Sequence, residues 1–361
     1  MSRTTFSIPQ VNPLVPDGDK ANDRIEVYIQ FIGNTADPQH NIPGQEVPGL
    51  AHKVQVDTGS IGIVIPEEIL HVDGDKTKDL LPGVTKGPAC KIKYEPSNDQ
   101  IEGNFYKVPS VAIGQNPDGT FVGHTAQITV MGATNMGMDY GMMGIGFDRQ
   151  GGPSAPGYAL DNPYINFVGM SAGDPLVSYT ITPTETVIGL NLPDYQLQYG
   201  RLLANPTEIK LEPASPKTSG SGLNQKNWLT PQLQISISTL GSPISAAVLT
   251  DTGVTVMMMS CTTPDWADNL DGASVSVSAN YTTFQMPYNI QFTLTEKDGK
   301  YFPVADSSSD APSEFLPRAV GTATENFVNT GIHPLFTHSY YYNAQNGYVC
   351  FGAPTRAKNV T

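Results

Sequence analysis

Val54-Gln55-Val56-Asp57-Thr58-Gly59-Ser60-Ile61-Gly62-Ile63-Val64-Ile65-Pro66 sets one carboxylate in a tight turn between two apolar runs. The tripeptide returns at Asp251-Thr252-Gly253, inside Ala246-Ala247-Val248-Leu249-Thr250-Asp251-Thr252-Gly253-Val254-Thr255-Val256-Met257. The two aspartates are 251 − 57 = 194 residues apart, about half of the 361-residue chain. A carboxylate among apolar residues is costly unless it is hydrogen-bonded or used in chemistry. One Asp-Thr-Gly is an ordinary turn, because Asp and Gly are turn residues. Two copies, each after an apolar strand and half a chain apart, point to a pair of acids brought together by two similar lobes.

Paired carboxylates cannot both ionise readily. Their repulsion separates the two protonation steps, so that over an intermediate pH range they share one proton. The ionised member then serves as general base toward a water. The protonated member polarises a carbonyl and assists the leaving group, which is hydrolysis without a covalent intermediate. Thr58 and Thr252 supply hydroxyls able to brace the turns. Gly59 and Gly253 let each backbone bend sharply and approach its partner. Ser60 is either a plain turn hydroxyl or a donor to Asp57, and its place directly after Gly59 favours the second.

The surrounding pattern is that of an all-β chain. Alternation predicts strands at Ile25 to Ile32, Leu233 to Ile237 and Tyr288 to Leu294. Further strands are expected at Cys90 to Tyr94, Ile101 to Tyr106, Val108 to Ile113, Thr125 to Met131, Tyr340 to Tyr342 and Tyr348 to Phe351, the last two joined by a turn through Asn346-Gly347. Pro175 to Leu192 reads as two strands around Pro183-Thr184. Glu95-Pro96-Ser97-Asn98-Asp99 is a hairpin tip by its turn residues. Short helices are expected at Glu67 to His71 and Thr263 to Leu270. Residues 1–22 are polar and proline-rich and read as an extended arm, 23–197 as a first β lobe and 198–361 as a second, with the boundary near Asp194 to Tyr199. Residues 212–227 and Asp306-Ser307-Ser308-Ser309-Asp310 have loop composition.

Composition narrows the function classes. Gly (35) and Pro (30) are abundant and charged residues make up 15%, which suits many short strands and turns. The net charge of −14 disfavours nucleic acid as a partner, because phosphate binding needs a basic face, and none is expected. It fits solubility, cationic substrates or a low working pH. No apolar run spans a membrane. Cys90, Cys261 and Cys350 allow one disulfide, Cys261 with Cys350, or three buried thiols. The N-terminus lacks a basic start followed by an apolar run and is no secretory signal. That implies a cytoplasmic protein if the sequence is complete and a secreted one if a leader was removed, where the sequons at Asn280 and Asn359 would matter. His333 and His338 have no zinc-spaced partners, Gly141 to Gly146 lack a following Lys-Ser/Thr, and no Gly-x-Ser-x-Gly elbow occurs. Neither a metal nor a cofactor is expected. The Met257-Met258-Met259 run reads as core packing, and Met136, Met138, Met142 and Met143 as core or cleft wall.

On these residues the chain resembles the pepsin-like (A1) aspartic proteases along nearly its whole length. Asp57-Thr58-Gly59-Ser60 and the apolar strand ending in Pro66 are similar to the family's first catalytic loop. Ile92-Lys93-Tyr94, the turn, and Gln100-Ile101-Glu102-Gly103 resemble the flap hairpin, which implies that Tyr94 covers the cleft and touches substrate. Tyr140 to Phe147 is similar to the apolar-apolar-Gly segment beneath the first loop, and Val328-Asn329-Thr330-Gly331 is the nearest match to the second. Pro175-Leu176-Val177-Ser178-Tyr179, Trp228 before Leu233 to Ile237, and Tyr340 to Gly352 resemble the strand opening the inter-lobe sheet, the second-lobe entry and the closing hairpin. The resemblance implies a bilobal fold, a central cleft and a monomeric endopeptidase that binds an extended peptide. Asp57 and Asp251 would be catalytic, with Thr58, Gly59, Ser60, Thr252 and Gly253 in support.

Two positions depart from the family pattern. Val254 stands where a hydroxyl usually follows the second Asp-Thr-Gly, so Asp251 is expected to lack one donor and to hold its charge less readily. Thr255, the next residue, is expected to face away from it. Val64 stands where the flap tyrosine usually has a Trp partner. Two other readings therefore stay open. One is a pepsin-fold enzyme using the same dyad on a small molecule, in a dehydration, cyclisation or rearrangement. The other is a non-catalytic binding protein on the same scaffold.

Overall fold

The computed structural model describes residues 5–14, 24–34, 46–147, 154–168, 177–199, 207–213, 228–279, 289–304 and 310–352. Its regular structure is mostly β. A nine-stranded sheet draws all its strands from Glu26 to Ile145, and an eight-stranded closed barrel draws all of its own from Gln232 to Asn329. A six-stranded sheet gathers strands from distant parts of the chain. Its order is Phe6–Pro9, Glu185–Ile188, Ser178–Ile181, Ser339–Asn343, Tyr348–Gly352 and Thr207–Lys210.

Several strands form where polar and apolar residues alternate, whereas others, such as Ile128–Ala133, are buried throughout. In Glu26–Asn34, Val27, Ile29 and Phe31 are buried while Tyr28 and Gln30 lie toward the other face. In Gln232–Ile237, Leu233, Ile235 and Ile237 point inward in the same way. Buried aromatic rings hold the six-stranded sheet. Tyr179 packs edge-on against Tyr164 at 5.5 Å between ring centres and against Tyr342 at 5.4 Å. Its hydroxyl donates to the Ile145 carbonyl at 2.6 Å, tying this sheet to the last strand of the nine-stranded one.

Several expectations change. Part of the N-terminal arm is a strand: Phe6–Pro9 pairs antiparallel with Glu185–Ile188, and Ile8 is wholly buried. The pause near Asp194 to Tyr199 is a helix, Leu192–Tyr199, held by the buried Tyr195 stacked on Tyr341. Glu67–Leu70 forms the short helix expected there, as a 3-10 turn. Thr263 to Leu270 forms successive turns, because Asp265 and Asn269 take positive φ of 56° and 58°, outside the helical region. Cys90, Cys261 and Cys350 are buried free thiols; Cys350 lies in the six-stranded sheet, and Cys261 directly follows the barrel strand Met257–Ser260. Met257, Met258 and Met259 are core residues, whereas Met138 is exposed. Pro175, Leu176, residues 214–227 and 305–309, and both sequon asparagines lie outside the described residues. Among the described residues no helix is long and apolar enough to cross a membrane.

Candidate active site

Both Asp-Thr-Gly turns are built by the same three-strand device. Glu46–Asp57 runs into the first turn and Ile61–Pro66 runs out of it. Met142–Ile145 threads between them, parallel to the first and antiparallel to the second, with Met142 opposite Gln55 and Val64. In the second half, Ile244–Leu249 enters and Met257–Ser260 leaves. Phe327–Asn329 threads between these with the same senses, and Asn329 lies opposite Leu249 and Met258. Gln55 and Leu249 each stand two residues before their aspartate; Val64 and Met258 each stand seven after. Asn329 thus occupies the register position of Met142, and Gly331 that of Gly144.

The two turns are bound to each other through their threonines. Thr58 Oγ1 donates to the Thr250 carbonyl at 2.7 Å and accepts from the Thr252 N–H at 3.0 Å. Thr252 Oγ1 donates to the Val56 carbonyl at 2.7 Å and accepts from the Thr58 N–H at 3.0 Å. Each buried hydroxyl therefore satisfies one donor and one acceptor of the opposite turn. Gln55 adds a third link, its amide reaching the carbonyls of Thr252 (3.2 Å) and Gly253 (3.1 Å).

This cross-bracing brings the aspartates together. Asp57 is 4% exposed and Asp251 7%, and their carboxyl groups meet closely enough to hydrogen-bond. The glycines make the approach possible. A Cβ at Gly59 would lie 2.3 Å from Asp251 Cγ, and one at Gly253 would lie 2.7 Å from Asp57 Oδ1. Asp57 Oδ1 accepts from the Gly59 N–H at 2.6 Å, and Asp57 Oδ2 accepts from the Ser60 hydroxyl. Asp251 Oδ1 accepts from the Gly253 N–H at 2.8 Å.

Val254 gives Asp251 no hydroxyl, but the donor is replaced. Asn329 Nδ2 donates to Asp251 Oδ2 at 2.5 Å, so the expected shortfall of one donor does not occur. Thr255 faces away from Asp251, as expected, and its Oγ1 meets the Ser313 hydroxyl at 3.2 Å.

Burial, then the charge of Asp251 and the hydrogen bond with it, push the Asp57 carboxyl well above the ordinary carboxylate range; Ser60 and the Gly59 N–H oppose the rise. A raised acid stabilises the fold below its ordinary value, and that contribution is lost as pH climbs through the raised value. Asp57→Asn, which cannot ionise, is expected to melt a few degrees above the wild type at neutral pH. The gap should close below about pH 4. Thermal unfolding followed at both pH values checks this.

Tyr94 directly follows the strand Thr85–Lys93, immediately before the hairpin tip. Burial raises its phenol far above the ordinary value, and the charge of Asp57 adds to the rise. Val64 is buried beneath this hairpin in a cluster with Cys90, Phe105 and Met131, so packing fills the place of an aromatic partner. At the tip, Glu95 forms an ion pair with Arg318, the residue after the barrel strand Phe315–Pro317.

All the residues named from sequence around the turns converge here. Asn329 and Gln55 are the residues that sequence reasoning missed. Among the described residues, no group of three or more His, Cys, Asp or Glu side chains is arranged to hold a metal ion. No protein-family model and no curated protein matches this chain.

Proposed function

We propose that this protein is a pepsin-like aspartic endopeptidase. The nine-stranded sheet and the barrel are the bodies of two lobes, and a cleft between them has Asp57 and Asp251 on its floor. The hairpin Thr85–Lys93 and Gln100–Val108 overhangs it, with Tyr94 against the substrate. The peptide binds extended across the cleft, as an added strand. One carboxylate takes a proton from a bound water, the water oxygen attacks the scissile carbonyl, and the other carboxyl donates its proton to the carbonyl oxygen. Collapse of the tetrahedral intermediate sends a proton to the leaving amine. The observation that carries this reading is the meeting of two buried carboxyls from matching turns, each turn braced by the other's threonine. The test is incubation with a diverse peptide library from acid to neutral pH, with and without a hydroxyl-bearing transition-state mimic. Cleavage blocked by the mimic is expected, and no cleavage at any pH overturns the proposal.

One feature favours a second reading, acid–base chemistry on a small molecule. The Glu95–Arg318 pair fastens the hairpin tip to the barrel side, which narrows access for a long peptide. Turnover of a small molecule that persists in Asp251→Asn would overturn a dyad mechanism of this kind.

A further inference from the structure

We infer that Asn329 is a positioning residue that holds Asp251 as the ionised member of the pair and leaves the shared proton to Asp57. This rests on the paired-acid reading above and adds a polarity to it.

The inference begins with the orientation of one amide. Asn329 Oδ1 accepts from the Gly331 N–H at 2.9 Å. That bond leaves the NH2 end directed at Asp251 Oδ2, 2.5 Å away. Asn329 is 4% exposed, so water does not compete for either end. An NH2 group donates and cannot accept. Asp251 Oδ2 can therefore receive this bond as a bare oxygen, while a proton on it would face a second donor.

The matching oxygen of Asp57 meets a different partner. Ser60 Oγ contacts Asp57 Oδ2, and a hydroxyl can turn to donate or to accept. A proton on Asp57 is accommodated there, and a proton on Asp251 is not. The two turns are alike in backbone and in donor count, yet unlike in what their outer oxygens tolerate. Val254 offers no hydroxyl to the Asp251 oxygen, and the amide of Asn329, on the threaded strand, is the donor in its place. The other ionisable groups bearing on the pair act alike on this polarity. Tyr94 and Tyr179 are both held neutral by burial, so neither adds a charge that would favour one acid over the other.

The consequence is a division of labour. Asp251 takes the proton from water and Asp57 gives one to the carbonyl oxygen.

The test needs no substrate. The protein is labelled with carbon-13 at the aspartate carboxyls, and each resonance of the pair is assigned by its loss in Asp57→Asn or Asp251→Asn. Both carboxyls are then followed through a pH titration. In the wild type, Asp251 is expected to show the ionised shift between the two steps and Asp57 the protonated one. Asn329→Leu keeps the buried volume and removes the donor. It should raise the lower step of the pair by about one pH unit and move the Asp251 resonance toward the protonated position between the steps. Adding Val254→Thr to it returns a hydroxyl donor and should recover at least half of that shift.

A lower step unmoved in folded Asn329→Leu, or a wild-type proton residing on Asp251, overturns the inference. Should Asn329→Leu not fold, Asn329→Asp keeps the acceptor for the Gly331 N–H. It is then expected to show a third carboxyl titrating above the ordinary range, and a third carboxyl titrating normally beside an unmoved pair overturns the inference equally. The two readings fail separately. A wild type that cuts no peptide but shows these shifts defeats the peptidase and leaves Asn329 its role, whereas cleavage with an unmoved titration does the reverse.

Discussion

Asp57→Asn and Asp251→Asn are each expected to lower peptide hydrolysis by roughly 10⁴-fold, with the double variant scarcely worse than either single one. The near-equality follows from the arrangement. Both carboxyls act on one water and one carbonyl, so removing either dismantles the unit, and the second removal takes little more. Asparagine keeps the size of the side chain and can still accept from the Gly59 or Gly253 N–H, so the turn survives. The measurement is kcat/KM for a cleaved peptide across the pH range, with folding verified by unfolding curves. Singles that retain a tenth of the activity, or a double variant whose loss equals the product of the single losses, would show that the aspartates act independently.

Thr58→Val is expected to cost about 2–5 kcal/mol of stability, the largest effect of any conservative substitution near the site. Valine has the shape of threonine and removes only the hydroxyl. It leaves the Thr252 N–H and the Thr250 carbonyl without their partner, in an interior that admits no water to replace it. Thr252→Val should cost a similar amount, by stranding the Thr58 N–H and the Val56 carbonyl. The two hydroxyls join the same pair of turns, so the double variant should lose less than the sum of the single losses, with a coupling of about 1 kcal/mol or more. Denaturant titration of the four proteins measures it. Strict additivity would mean that the turns do not hold each other.

The sequence made visible what is local. Asp57, Asp251 and their Thr-Gly neighbours stand out because an acid in an apolar stretch is costly. Strands such as Glu26–Asn34 stand out because Val27, Ile29 and Phe31 alternate with partly exposed residues. What depends on register did not show. Asn329 lies 78 residues from Asp251, in a segment matched only by its final glycine, and its amide meets the carboxyl only once Phe327–Asn329 has paired with Ile244–Leu249. Gln55 looked like any outward-facing strand residue, since its partners are carbonyls 197 and 198 positions away. Thr263 to Leu270 failed for the opposite reason. Its composition allows a helix, and the left-handed backbone at Asp265 and Asn269 turns the chain away from one. Phe6–Pro9 has too few residues to show a period and becomes a strand only because Glu185–Ile188 offers it an edge.

The six-stranded sheet also bears on how such a protein is made. Strands from Phe6–Pro9 and from Ser339–Asn343 belong to the same layer, so this layer closes only after nearly all of the chain has left the ribosome. The acid pair obeys a similar timetable. Asp57 emerges early, but its partner loop is completed by Phe327–Asn329, which arrives far later in translation. Until that strand emerges, the growing polypeptide holds the first aspartate turn with its three strands and the second without its threaded one. On the proposed activity, the order of strands delays hydrolytic competence until late in translation, which spares the nascent chain and its neighbours premature digestion.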